Sequence, residues 1–205
     1  MSKKRLFYTG FFAVLAVGFY FVLTIVIPDF GKKSTPPVSY IRPFSFINQD
    51  GATITEKNVQ GKVYVAEYFF TTCTGICPKM NSNMKKVYEA FKDENDFLIL
   101  SHTCMPEVDS VAQLKKFAAT LNVNTDKWIF LTGRKDSLYR TARESYTIDD
   151  PANNLKSIDD QFIHSQFFAL VDKNGDVKKI YDGLTESEVN RLIKDARKLL
   201  KQKAR

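Results

Sequence analysis

Soft metal-ligating side chains are scarce in this sequence of 205 residues: Cys73, Cys77, Cys104, His102 and His164 are its whole stock of thiols and imidazoles. Other absences narrow the reading further. No cysteine follows the apolar run near the N-terminus, which argues against a lipoprotein anchor. No small-x-small site lies between Phe19 and Ser34, which argues against a cleavable signal peptide. The stretch Asp172-Lys173-Asn174-Gly175-Asp176 has the Asp/Asn spacing of a calcium loop but lacks the glutamate that closes one, so it predicts a hairpin turn. No internal repeat is present. The net charge of +7 is not evenly spread: residues 1–34 and 185–205 each carry +4, and the stretch between them carries −1. The excess flanks the apolar run and the last helix, so it makes no case for nucleic acid and predicts a solvated face at the C-terminus.

What is present begins with Lys3, Lys4 and Arg5, followed by 22 uncharged, strongly apolar residues from Leu6 to Ile27. Roughly 20 such residues span a bilayer core. The basic flank keeps the N-terminus in the cytoplasm and sends the rest of the chain across the membrane. The chain thus divides into a cytoplasmic stub (1–5), a transmembrane anchor (6–27), a polar, proline-bearing linker (28–43) and one domain (44–205) of a size that carries its own core.

Within the domain the periodicity predicts a hairpin over Phe44–Ile54, a strand over Val63–Phe70, a helix from Pro78 to about Lys92 and a strand over Phe97–Leu100. A helix over Ser110–Leu121, a strand over Trp128–Leu131 and a helix over Ser137–Tyr146 follow. Thr147–Gln161 reads as a polar surface loop. A strand over Phe162–Val171, containing His164, then turns into a strand over Val177–Tyr181, and a helix over Thr185–Lys201 ends the chain. Strands alternating with helices predict an α/β domain, a mixed sheet with a parallel centre covered on both faces. A dithiol at the end of the first central strand, opening the first helix, is the thioredoxin-like arrangement.

That dithiol organises the chemistry. Cys73 and Cys77 lie in Thr72-Cys73-Thr74-Gly75-Ile76-Cys77-Pro78-Lys79-Met80, and Pro78 favours a helix starting there. A thiol at a helix N-terminus is expected to have a lowered pKa, which points to Cys77 as the thiolate. Four readings compete. A structural disulfide across so short a loop removes little chain entropy. Thioredoxin-type exchange usually has two residues between the cysteines, and here there are three. Zinc wants four tetrahedral ligands, which three Cys and one His supply only by converging from separate strand ends. Copper accepts two thiolates and an imidazole.

The loop, with the Tyr68-Phe69-Phe70 strand before it, resembles the Sco/SenC family of copper-binding assembly factors for cytochrome c oxidase. So do Pro106-Glu107-Val108-Asp109, Leu131-Thr132-Gly133, and His164 ahead of Leu170-Val171-Asp172-Lys173-Asn174-Gly175. The resemblance runs from about Phe44 to the C-terminus and implies a thioredoxin-like fold with added hairpins. It implies copper, as Cu(I) or Cu(II), held by Cys73, Cys77 and His164. It also implies a single-pass protein of the bacterial inner membrane with its domain on the periplasmic or extracytoplasmic side. The implied partners are a copper-accepting oxidase subunit and other copper chaperones or thiol reductases. Two positions depart from the family pattern: Met105, preceded by Cys104, replaces an Asp, and Ile163 replaces the Asp usual before the His. The rival class is a thiol–disulfide oxidoreductase acting on cysteines of a partner protein. It would use the redox pair Cys73 and Cys77 but would not need His164.

Overall fold

The N-terminal apolar run forms helix α1 (Lys3–Val26), long and apolar enough to cross a membrane. At 1.5 Å per residue it measures about 36 Å, against a hydrocarbon core of about 30 Å. It starts at Lys3 rather than Leu6, because the basic residues continue the same helical backbone. The computed structural model describes residues 2–26, 36–149, 157–163 and 165–204, and Ile27 and the first half of the linker, 28–35, lie outside them.

The second compact unit is Pro37–Arg205. In chain order it contains β1 (Ser39–Tyr40), β2 (Ser45–Asn48), β3 (Thr53–Thr55), the short α2 (Glu56–Val59), β4 (Val63–Phe69), α3 (Cys77–Phe91) and β5 (Phe97–Thr103). Then come α4 (Val111–Leu121), β6 (Trp128–Thr132), α5 (Lys135–Thr141), β7 (Phe167–Val171), β8 (Asp176–Asp182) and α6 (Glu186–Leu200). The eight strands form one sheet in the order β1-β8-β7-β4-β5-β6-β2-β3. β4, β5 and β6 are parallel, and the other pairs are antiparallel. Every residue of β4, β5 and β6 is buried, which is why these strands read as mainly apolar runs, broken by Glu67 in β4 and by the polar end of β5. The fold is α/β and thioredoxin-like.

Two apolar layers cover the sheet. On one face α3, α4 and α6 contribute Met80, Met84, Leu114, Val189 and Leu192 against Val65, Phe69 and Phe130. On the other, Leu138 and Tyr139 of α5 and the residues after it pack with Phe44, Phe46, Tyr64, Tyr68 and Leu131. Side chains alternate along β4, so Glu67 and Phe69 face α3 while Tyr68 faces α5.

Four expectations shift. β5 continues beyond Leu100 to Thr103 because its parallel pairing with β4 continues through Glu67↔Ser101, Tyr68↔His102 and Phe69↔Thr103. Its polar end hides that extension in the sequence. The helix expected over Ser137–Tyr146 starts at Lys135 and passes into a π-helical turn over Ala142–Tyr146. The strand expected over Phe162–Val171 begins only at Phe167. Its partner β8 ends at Asp182 opposite Phe167, and the Phe167 N–H donates to Ser165 Oγ at 3.3 Å. The loop expected over Thr147–Gln161 includes a short 3-10 turn at Ile158–Asp160, and residues 150–156 lie outside the described residues. The hairpin expected after Val171 is present: Asp172 Oδ1 accepts from the N–H groups of Asn174 and Asp176 at 2.9 and 3.0 Å. Gly175 there has a φ of 81°, a conformation that glycine adopts without strain.

Candidate metal centre

β4 delivers the chain to the carboxyl edge of the sheet, where ligand sites gather in α/β folds. The Cys73 N–H donates back to the Phe70 carbonyl at 3.3 Å, closing a turn directly after the strand. α3 then begins at Cys77 with Pro78 in its first turn, and the N–H groups of Lys79 and Met80 donate to the Ile76 carbonyl at 3.1 and 3.0 Å. Cys73 is part-exposed, Cys77 is buried against α3's apolar stripe, and both are free thiols.

Their electrostatics reverse the expected roles. Burial pulls the Cys73 thiol upward, but hydrogen bonds from the Cys77 thiol and from the backbone at Cys77, Gly75 and Ile76 outweigh it and hold Cys73 below the ordinary thiol value. Burial pushes the Cys77 thiol up to about 12, and its bond to Cys73 and the charges of Cys73 and Glu67 act in the same direction. The more acidic thiol is therefore Cys73, not Cys77. The helix-end N–H groups favour an anion, as expected, but they converge on the sulfur that lies outside the helix rather than on the one in its first turn.

Glu67 is the residue that sequence reasoning passed over. It is the only charge within the Val63–Phe70 run and is fully buried. Burial raises its carboxyl to about 7, against a lowering hydrogen bond from Ser101. A charged residue in the middle of an otherwise apolar strand was the available signal.

Cys104 lies at the same edge of the sheet but packs on the opposite face from Cys77, among Tyr68, Tyr139 and Ile163. It is 2% exposed, and burial raises its thiol, with the charges of Cys77 and Asp109 adding to the effect. Among the described residues no group of three or more His, Cys, Asp or Glu is disposed to hold a metal ion. Cys104 thus packs as a buried thiol rather than joining the pair. His102 is no ligand to the dithiol either. It is fully buried, stacks on Tyr68 at 5.0 Å between ring centroids and meets the edges of Phe46 and Tyr146.

His164 lies outside the described residues. Its neighbours are placed: Ile163 is buried with Tyr68 and Cys104, and the Phe162 ring meets the Phe70 ring edge-on at 5.4 Å. Phe162, two residues before His164, therefore lies against the end of β4 from which the cysteine loop departs. The donor set the structure does describe, two sulfurs on one loop with Cys73 holding the lowered pKa, suits a soft cation.

Comparison with known proteins agrees with this architecture. A family model described as SCO1/SenC matches residues 32–201. The SCO1 protein homolog of Bacillus subtilis (strain 168) is 36% identical over 172 residues, which cover 82% of this chain and 86% of that protein. The structure of BsSco, described as a member of the Sco family of cytochrome c oxidase assembly proteins with a disulfide switch, is 34% identical, with a TM-score of 0.69 over 84% of this chain and 100% of that one. Yeast Sco1 with copper bound, 24% identical, shares the fold with a TM-score of 0.58 over 80% of this chain and 95% of that one. With a family model spanning most of its length and a relative this similar, the chain belongs to the SCO1/SenC family.

Proposed function

We propose that this chain is a membrane-anchored copper-binding assembly factor for a respiratory oxidase. In this reading Cys73, Cys77 and His164 hold one copper ion and pass it to a copper-accepting oxidase subunit. The observation that carries it is the pair of free thiols on one loop at the carboxyl edge of the sheet, with Cys73 held toward the thiolate. Thiolate sulfur is the donor that soft Cu(I) prefers, and an imidazole completes a set that also accepts Cu(II). The BsSco relative is described as a member of a family of cytochrome c oxidase assembly proteins, which supports the oxidase as client.

In this reading residues 1–5 are the cytoplasmic stub, 6–27 the anchor, 28–43 the linker and 44–205 the copper-binding domain, to whose sheet Ser39–Tyr40 at the end of the linker adds an edge strand beside β8. The domain lies on the extracytoplasmic side of a bacterial inner membrane, since Lys3, Lys4 and Arg5 precede the span. Protease added to intact spheroplasts should digest the domain, and full protection would reverse the orientation.

The test of the copper site is metal analysis of the full-length protein, reduced and then loaded. One copper per chain and a sulfur-to-copper charge-transfer band are expected, and His164→Ala should weaken Cu(II) binding and lose the band. An unchanged spectrum in that variant removes His164 from the site.

One observation favours a second reading, reduction of a partner's cysteines. An accessible thiol with a lowered pKa next to a buried one with a raised pKa is the division of labour that thiol–disulfide exchange uses. His164→Ala separates the two: it should spare exchange chemistry and impair copper binding.

A further inference from the structure

Asp109 is fully buried in the loop that joins β5 to α4, and its carboxylate gathers three elements. Oδ1 accepts from Thr71 Oγ1 at 2.5 Å and from the Thr71 N–H at 3.3 Å, and Oδ2 lies 3.2 Å from the same N–H. Oδ2 also accepts from the Thr103 hydroxyl at the end of β5. Both hydroxyls are then used a second time. Thr71 Oγ1 accepts from Gln113 Nε2 of α4 at 3.1 Å, and Thr103 Oγ1 accepts from the Met105 N–H at 2.9 Å. The loop holding Asp109 is itself fixed by the Asp109 N–H, which donates to the Met105 carbonyl at 2.9 Å.

Thr71 stands two residues before Cys73. The dithiol loop is therefore held at two posts. At one end Thr71 is fixed to Asp109, and at the other Cys77 is fixed by the first turn of α3. Only Thr72–Ile76 lie between them. The separation of the two sulfurs depends on the distance between these posts, and a disulfide tolerates little error in that distance. A fully buried side chain tied to two chain segments by hydrogen bonds is a stiff post, because breaking any one of them leaves a buried polar atom unpaired. Carboxylate geometry also matters: the two oxygens face three donors at once, and an amide in the same place has one acceptor.

We propose that Asp109 is a positioning residue for the dithiol: by fixing Thr71 it sets the Cys73–Cys77 geometry, and with it the stability of their disulfide and the affinity of the copper site. The copper half rests on the function proposed above, and the disulfide half does not.

The experiment uses the full chain in detergent, metal-free, equilibrated with reduced and oxidised dithiothreitol. Forming the Cys73–Cys77 bond transfers two electrons and two protons from the thiols to oxidised dithiothreitol, which is reduced. Thr71→Val removes the hydroxyl without removing volume, Thr71→Ser retains it, and Asp109→Asn and Asp109→Ala weaken or delete the carboxylate. Copper affinity and the thermal midpoint of the reduced protein are measured alongside.

Thr71→Val and Asp109→Ala should each shift the disulfide equilibrium constant tenfold or more and weaken Cu(II) binding, with Asp109→Asn between them and the wild type. Thr71→Ser should stay within twofold of wild type. The Thr71→Val, Asp109→Ala double variant should be no worse than Asp109→Ala alone, since both break one network. If Asp109→Ala does not fold, Thr71→Val carries the test. A disulfide constant within twofold of wild type in folded Thr71→Val overturns the proposal, whatever the copper result. A wild type that binds no copper, with a shifted disulfide constant in the variants, overturns the copper function and leaves the positioning role standing.

Discussion

Glu67 and Ser101 face each other across the two parallel central strands, and the Ser101 hydroxyl donates to Glu67 Oε1 at 2.6 Å. The same hydroxyl accepts from Trp128 Nε1 at 2.7 Å, so a polar chain crosses three strands inside the core. Glu67 Oε2 has no partner among the described residues. A carboxylate there would be buried with one oxygen unsatisfied, so the neutral form is favoured.

Glu67 rises from an ordinary 4.5 to about 7 because burial penalises its charge. Its contribution to stability is therefore complete below pH 4.5 and is lost as pH rises through about 7. At 1.36 kcal/mol per pH unit the wild type loses about 3 kcal/mol across that window. Glu67→Gln keeps an acceptor for Ser101 and cannot ionise, so its urea stability should be flat where the wild type declines. Parallel curves for the two proteins between pH 5 and 8 would show that Glu67 does not titrate there.

How much of this was legible in advance depends on the range of the interactions. Val63–Phe70 read as a buried strand because both of its faces are covered, and Cys77-Pro78 marked a helix start because proline fits a first turn. These signals are local. The polar core is not local: Glu67 reaches Ser101 over 34 positions and Asp109 reaches Thr71 over 38. Glu67 was visible as a charge in an apolar run, but its partner was not. The roles of the two cysteines were misread for a related reason. Helix-end N–H groups are predictable, but which sulfur they converge on depends on how the loop folds between the posts.

His102 carries the opposite pH sensitivity. Neither ring nitrogen has a partner at full hydrogen-bond geometry among the described residues, and burial lowers the imidazole from 6.5 to about 3, outweighing weak raising contacts with the backbone of Glu67 and Leu100. A neutral, buried imidazole contributes stability above pH 6.5 that is lost as pH falls toward about 3. His102→Phe keeps a ring against Tyr68 and removes two unsatisfied nitrogens. The acid-unfolding midpoint should move to lower pH, and stability at pH 7 should hold or rise by about 1 kcal/mol. A variant that unfolds at the same pH as wild type would show that other groups govern acid denaturation.

Gly183 joins α3 to the segment leading into β7. Its carbonyl accepts from Asn83 Nδ2 at 2.7 Å, and its N–H donates to the Gln166 carbonyl at 2.8 Å. A Cβ at this position would stand 2.7 Å from the Gln166 oxygen and from two ring carbons of Phe168. Backbone cannot swing aside as a flexible side chain can. Gly183→Ala should therefore cost about 1–3 kcal/mol, the usual penalty of overpacking. A lowered urea midpoint with an unchanged slope is the expected result, and an unchanged midpoint would mean that the β7 entry yields freely.

The last prediction follows from the division between Cys73 and Cys77. Cys73 is part-exposed and held toward the thiolate by its hydrogen bonds, whereas Cys77 and Cys104 are buried with raised pKa values. Only the thiolate alkylates, so the pH at which labelling rises reports each thiol separately. Iodoacetamide applied to the reduced, metal-free protein should label Cys73 first, with a rate–pH midpoint below that of a free thiol. Cys77 and Cys104 should react only on unfolding. Cys77→Ser exchanges the thiol that donates to Cys73 for a hydroxyl, a stronger donor, and leaves the backbone donors in place. Cys73 should therefore stay fast in that variant, while Cys77→Ala should slow it. Mass spectrometry of the labelled peptides decides the matter: Cys77 or Cys104 modified ahead of Cys73 would assign the thiolate to the wrong sulfur.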